Sequence, residues 1–226
     1  MDCPIFVVHY SPLTERKKHI TNELIKYNFN FTFEENYNKE DLTSDDLNKF
    51  TNIKNLKMAE ISLACKHLNL YKKIVENNID YAIIFEDDVT LNDNFKNDLL
   101  FYYNQLPDDW DVFFFGSGWN LHVPDNIVKN SDKNVFLKNN HGHGINSEQY
   151  KLGWSVCAGS TRCLDSYIIT KKAAKKILNY CSSRKIYRPF DLFLNICFRE
   201  TQMKVYWGEP TLCKQDTFKS SIKCSN

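Results

Sequence analysis

The stretch Tyr81-Ala-Ile-Ile-Phe-Glu-Asp-Asp-Val89 decides how the rest of the chain is read, because an apolar run passes straight into three consecutive carboxylates. A short continuous apolar run of this kind is the pattern of a strand covered on both faces. Ahead of it, Leu56 to Asn77 carries Leu63, His67, Leu70, Tyr71 and Ile74 on one face with lysines elsewhere, which predicts a long amphipathic helix. Behind it, Asp93 to Gln105 reads as a second helix. Trp110-Asp-Val-Phe-Phe-Phe115 then reads as a second apolar strand, closed by Gly116-Ser-Gly118. Strands that alternate with helices imply an α/β fold with a mostly parallel sheet and helices on both faces.

The same alternation extends outward. Ile5-Phe-Val-Val-His9 predicts a buried strand that runs into a loop at Tyr10-Ser-Pro12. Thr14 to Tyr27 predicts the first helix, with Thr14 as N-cap. Phe29 to Phe33 alternates like a half-buried strand, and residues 34–55 are polar enough for a loop with one helical turn. Residues 117–153 are rich in Asn, Asp, His and Gly, which predicts a long irregular region with one short strand near Val135 to Leu137. Leu164 to Thr170 reads as a strand, Lys171 to Tyr180 as a helix, Phe190 to Glu200 as a helix led by Pro189, and Val205 to Trp207 as a last short strand. No repeat or linker interrupts the pattern, so residues 1–226 read as a single domain.

Bulk properties exclude several classes. The 226 residues hold 29 Lys+Arg against 28 Asp+Glu, a formal charge of +1, which argues against a protein built to hold nucleic acid. No apolar run reaches the roughly 18 residues of a membrane-spanning helix. Met1-Asp2-Cys3-Pro4 is acidic and leads directly into a strand, unlike a secretory leader, so the expected compartment is the cytoplasm. The eight cysteines contain no Cys-x-x-Cys pair, so free thiols are expected rather than a zinc or redox motif. Lysine and asparagine are abundant and arginine, alanine and glycine scarce, a bias expected of an AT-rich genome such as that of a large virus or a bacterium. No glycine precedes Gly116, which excludes a P-loop or dinucleotide glycine cradle at the first strand–helix turn.

Ligands of open α/β sheets bind outside the carboxyl ends of the strands, where Glu86-Asp87-Asp88 falls. Three adjacent acids repel one another, and hard oxygen ligands suit Mg²⁺ or Mn²⁺. Alternation puts Glu86 and Asp88 on one side of the chain and Asp87 on the other. The plainer reading is a solvated acidic turn in which Asp87 or Asp88 caps the next segment. Asp191, at the start of a helix, is either a carboxylate kept ionised by the dipole and suited to accept a proton, or merely a cap. His67, with Glu60 seven residues earlier on the same face, is either a hydrogen-bonded core histidine or a residue close to a ligand. His141-Gly-His143 has the spacing of a chelator but no third partner nearby, so an exposed loop is the simpler reading. Arg16, taken alone, is a solvated helix residue.

Taken in order, these segments resemble glycosyltransferase family 25, which includes lipopolysaccharide and procollagen galactosyltransferases. The matching blocks are the N-terminal strand and loop leading to Arg16, Glu60-Ile-Ser-Leu-Ala-Cys-Lys-His67, Ala82-Ile-Ile-Phe-Glu-Asp-Asp-Val89, and Trp110-Asp-Val-Phe-Phe-Phe-Gly116. They continue with Tyr167-Ile-Ile-Thr-Lys-Lys-Ala-Ala174, Pro189-Phe-Asp191, and Pro210-Thr-Leu-Cys-Lys-Gln215 with Ser221-Ile222. Lys66 stands where the family carries serine before the histidine.

The resemblance implies a GT-A fold, a nucleotide-sugar donor (usually a UDP-hexose carrying galactose or glucose), Mn²⁺ or Mg²⁺, and inversion at the anomeric carbon. It gives Glu86-Asp87-Asp88 the part of an Asp-x-Asp motif, with Glu86 and Asp88 as metal ligands, and gives Asp191 the part of general base. His9, Tyr10, Arg16, His67, Glu86, Asp87 and Gln215 are the expected donor contacts. The acceptor is expected to be a glycan, a lipopolysaccharide-like molecule or a glycosylated protein, met by the 117–153 region with Trp119 and Trp154. Two rivals are a catalytically inactive sugar-nucleotide or glycan-binding module and a metal-dependent phosphate-ester or nucleotide-transfer enzyme. The second rival needs further carboxylates converging on Glu86 and Asp88, and the sequence offers no second acidic strand end.

Overall fold

A computed structural model describes residues 3–116, 134–137 and 163–215. His141, His143, Trp119, Trp154, Ser221 and most of the 117–153 region lie outside the described residues. The strands are β1 (Ile5–Val8), β2 (Thr32–Glu34), β3 (Tyr81–Glu86), β4 (Val89–Leu91), β5 (Val112–Phe114), β6 (Asn134–Leu137), β7 (Ser166–Thr170), β8 (Val205–Glu209) and β9 (Cys213–Gln215). The helices are α1 (Thr14–Ile25), α2 (Ser44–Leu47), α3 (Met58–Glu76), α4 (Phe95–Tyr103), α5 (Lys171–Ser183) and α6 (Phe190–Glu200).

Among the described residues, seven strands form one sheet in the order β2-β1-β3-β7-β5-β8-β6. β1 pairs in parallel with β2 and β3, and β5 with β8, whereas β7 is antiparallel to both of its neighbours and β6 is antiparallel to β8. The sheet is therefore mostly parallel, with β2, β1, β3, β5 and β8 sharing one direction. β4 and β9 make a separate antiparallel pair.

Alternation along β3 feeds two cores. Ala82 and Ile84 pack on one face with residues of α3, α5 and α6, while Ile83 and Phe85 pack on the other with residues of α1 and α4. Leu70, Tyr71 and Ile74 of α3 are fully buried. Each such side chain contributes about 1.5–3 kcal/mol, against about 1 kcal/mol for a good helix cap, so docking rather than capping holds α3 in place. The helix nonetheless starts with a cap, since the Lys57 N–H donates to the Glu60 carboxylate at 2.8 Å. That interaction occupies Glu60 at the helix start, on the first turn.

Several boundaries differ from the sequence reading for identifiable reasons. Thr14 is the first residue of α1 and not its cap, because the Lys17 N–H already bonds to the Leu13 carbonyl at 3.1 Å. β2 starts at Thr32, where it meets Phe6 of β1, so Phe29 and Phe31 pack against the core ahead of the strand. The polar 34–55 stretch holds the single-turn helix α2, closed by a reciprocal Thr43–Asp46 capping box, and a 3₁₀ turn at Ile53–Asn55. β4 and β9 span three residues each, too few to leave a periodic signal. The six described cysteines are free thiols. Among the described residues no helix is long and apolar enough to cross a membrane.

Candidate active site

The site lies at the end of the sheet where β1 and β3 finish. Since Ala82 and Ile84 face α3, the next residue in step, Glu86, also faces α3, and its carboxylate Oε1 stands 3.9 Å from His67 Nε2. Asp87 points the opposite way, toward α1, and is 6% exposed. Its Oδ2 meets His9 Nδ1 at 2.7 Å, and its Oδ1 accepts from Arg16 Nη1 at 3.0 Å. Asp88 also accepts from Arg16 Nη1, at 3.1 Å. Gln215, brought in by β9, sets its amide nitrogen 3.5 Å from both Glu86 Oε2 and Asp88 Oδ1, so those two carboxylates converge on one point.

Asp191 opens α6, where the helix dipole favours its ionised form, and its Oδ1 accepts the Leu192 N–H at 2.7 Å. The negative charge of Asp191 reaches Glu86: burial first, then Asp88, Asp165, Asp87 and Asp191, push the Glu86 carboxyl well above its ordinary range. Burial also raises Asp88, with the Arg16 guanidinium pulling in the other direction. The result is a largely buried carboxylate cluster whose charge Arg16 offsets only in part. Such a cluster favours protons or a cation.

His9 is 1% and His67 0% exposed, so in this structure both, like Asp87, present their side chains to protein rather than to solvent. Burial lowers the His67 pKa to about 3, which keeps the ring neutral. Tyr10 differs. It is half-buried, and its hydroxyl donates to Glu40 Oε1 at 2.6 Å while Lys39 Nζ lies 5.3 Å from its ring centre. Desolvation, then the Glu40 carboxylate, raises the phenol to about 12. Lys66, the departure from the family's serine, is 2% exposed and ties α3 to the loop after β2, donating to Asn38 Oδ1 at 3.1 Å. Burial lowers its amine to about 8.

Two members of the site escaped the sequence reading. Asp165 is 1% exposed, and its carbonyl accepts the Glu86 N–H at 2.8 Å. Cys163 donates its thiol to Gln215 Oε1 at 3.2 Å, and its pKa is raised by burial and then by Asp165, Glu86, Asp191 and Asp88. Both precede β7, which runs against β3, so the start of β7 meets the end of β3. Gly116 is the one local hint, since a Cβ there would fall 1.9 Å from Asp165 Oδ2 and 2.2 Å from Ser166 Oγ. Gly116→Ala is therefore expected to destabilise the fold by about 1–3 kcal/mol through forced repacking, read by chemical denaturation. An unchanged midpoint would show that Asp165 is free to move aside.

Among the described residues no three His, Cys, Asp or Glu side chains form a ready-made metal cage. Mg²⁺-like ions, however, are usually held by one or two carboxylates together with substrate phosphates, and a converging Glu86–Asp88 pair whose charge Arg16 offsets only in part fits that habit.

This mostly parallel sheet, covered by helices on both faces and carrying carboxylates at its strand ends, has the fold of a solved structure described as a glycosyltransferase involved in the glycosylation of the major capsid of PBCV-1. The TM-score is 0.53 at 11% identity, covering 97% of this chain and 95% of that one. The chain also matches the profile of glycosyltransferase family 25 (LPS biosynthesis protein) over residues 2–194, and it belongs to that family. It is 27% identical over 225 residues to a Haemophilus influenzae protein named "Putative glycosyltransferase", covering 93% of this chain and 70% of that protein.

Proposed function

We propose that this glycosyltransferase is an inverting, divalent-cation-dependent hexosyltransferase that moves galactose or glucose from a UDP-hexose to a hydroxyl of a glycan, a lipopolysaccharide-like molecule or a glycosylated protein. The observation that carries the reading is the convergence of Glu86 and Asp88 on one point, within electrostatic reach of Asp191 at the start of α6.

Glu86 and Asp88 would hold Mn²⁺ or Mg²⁺ together with the donor diphosphate. When bound there, the ion would supply Lewis-acid neutralisation of the charge on the departing UDP. Asp191 takes the proton from the acceptor hydroxyl as that oxygen bonds to the anomeric carbon, and the bond from that carbon to the UDP oxygen breaks on the opposite face. Tyr10, half-exposed at the end of β1, offers an aromatic face to the uracil, and Arg16 brings positive charge to the phosphate side. His9 and Asp87 serve the donor by fixing Arg16 and the strand end. Gln215, bridging the two carboxylates, sits where it meets the diphosphate or its cation.

Calorimetric titration of UDP with and without Mn²⁺, followed by incubation with UDP-glucose and UDP-galactose, tests the proposal. Mn²⁺-dependent UDP binding and turnover of one donor are expected. Binding without any turnover across a glycan acceptor panel would make the protein a sugar-nucleotide binding module, and no binding in either condition would overturn the donor assignment.

A further inference from the structure

Behind the carboxylate pair lies a buried polar chain that the proposed roles leave unused. α3 carries His67 beneath the sheet end, fully buried, with its ring 5.9 Å from that of Tyr167 and 6.1 Å from that of Phe190. His67 Nδ1 and the Tyr167 hydroxyl are 2.8 Å apart, and the Tyr167 and Tyr71 hydroxyls are also 2.8 Å apart. His67 Nε2 is buried with no hydrogen-bond partner among the described residues. It faces Glu86 Oε1 at 3.9 Å, too long for a hydrogen bond. Buried ring nitrogens are normally satisfied, so an orphan aimed at a carboxylate marks an interaction completed in another state.

The direction of the chain follows from donor counting. A neutral imidazole has one N–H, and each tyrosine has one O–H. If Tyr71 donates to Tyr167, Tyr167 donates to Nδ1 and Nε2–H points at Glu86, every donor has an acceptor once Oε1 approaches by roughly 1 Å. In the reverse direction the Tyr71 hydroxyl hydrogen is left buried without an acceptor among the described residues.

We propose that His67 is a positioning residue for Glu86, its Nε2–H orienting the carboxylate that holds the cation through the Tyr71–Tyr167–His67 relay. The inference rests on the cation-dependent reading above and adds a role that direct donor contact does not describe. Carboxylates that bind metals are themselves oriented by hydrogen bonds, and losing such a partner typically costs about 10- to 100-fold in metal affinity.

The test is Mn²⁺ affinity, measured by electron paramagnetic resonance in the presence of UDP, for His67→Gln, His67→Asn and His67→Phe, with thermal melting recorded on the same samples. The glutamine amide reaches the place of Nε2, whereas the asparagine amide reaches only that of Nδ1. His67→Gln is expected to keep Mn²⁺ affinity within about threefold, while His67→Asn and His67→Phe lose about 10- to 100-fold, in an order that melting temperature does not follow. Should these variants fail to fold, Tyr167→Phe interrupts the relay from behind and is expected to weaken Mn²⁺ binding in the same direction. Wild-type binding with equal affinity in the asparagine and phenylalanine variants, or in Tyr167→Phe, overturns the positioning role alone. No Mn²⁺ binding by the wild type overturns the cation reading and the positioning role together.

Discussion

Asp191→Asn is expected to slow transfer to the acceptor by about 10²- to 10⁴-fold, the usual contribution of a general base, while UDP-sugar binding stays close to wild type. The size of the effect comes from one atom. Asparagine keeps the shape of the side chain and can still accept the Leu192 N–H at the start of α6, so the helix keeps its local hydrogen bond. It cannot accept the acceptor proton, and a barrier increase of about 2.7–5.4 kcal/mol follows from the expected range at 1.36 kcal/mol per decade. On the donor side Asp191 is the smallest of the named charges acting on Glu86, after Asp88, Asp165 and Asp87, so its removal is expected to change donor binding far less than transfer. Donor hydrolysis, donor affinity and acceptor transfer measured on the same preparation separate these effects. A parallel loss of donor affinity would move Asp191 into the donor site and out of the base role.

Asp88→Asn is expected to have an effect of similar size by a different route, abolishing Mn²⁺-supported donor binding as well as turnover. Lewis-acid stabilisation of a leaving diphosphate is worth several kcal/mol, so losing about 4 kcal/mol of it corresponds to about a thousandfold in rate. Asp88 shares Arg16 with Asp87, which keeps its own contacts to Arg16 and His9 when Asp88 is neutralised, so the fold is expected to survive. The loss should therefore appear in Mn²⁺ titration and in UDP release, with an unchanged melting profile. Wild-type turnover in Asp88→Asn would remove Asp88 from the metal site and with it the main use of the Glu86–Asp88 convergence.

The part of the site on β3 was legible because one strand carries both halves of the information. The apolar run up to Phe85 fixes which residues are buried, and the same alternation then sends Glu86 toward His67 and Asp87 toward Arg16. Asp191 was legible from Pro189 and the helix that follows it. Asp165 and Cys163 were not, because a buried strand has the same composition whichever way it runs. Only its pairing between β3 and β5 shows that β7 is antiparallel and brings its first residues to the site. Strand direction is decided by tertiary connection, which no local pattern records. The pairing of β4 with β9, which delivers Gln215, escaped for a related reason, since three-residue strands carry no period. Gly116 shows how a sequence observation changes meaning in three dimensions. Its position as the first glycine excluded an early phosphate cradle, and in the fold it makes room for the Asp165 carboxylate.

His9 and His67 sit on apolar segments, and the structure buries both, with His9 against Asp87 and His67 facing Glu86. The site is thus built in layers, with Glu86 and Asp88 at the front, Arg16 and Asp87 beside them, and the His67 relay behind. On the proposed function, this layering would let a chain without an early glycine cradle handle a diphosphate, its charge being met by a cation on the carboxylate pair and by Arg16 in place of backbone amides.

The most direct test is UDP release by the wild-type protein from UDP-galactose and UDP-glucose, with a glycan acceptor panel, in Mn²⁺ and again after chelation. Release from one of the two donors in Mn²⁺ is expected, greater with an accepted glycan than without, and lost on chelation until Mn²⁺ is restored. Release that persists undiminished after chelation, or none from either donor in Mn²⁺, would contradict the proposed function.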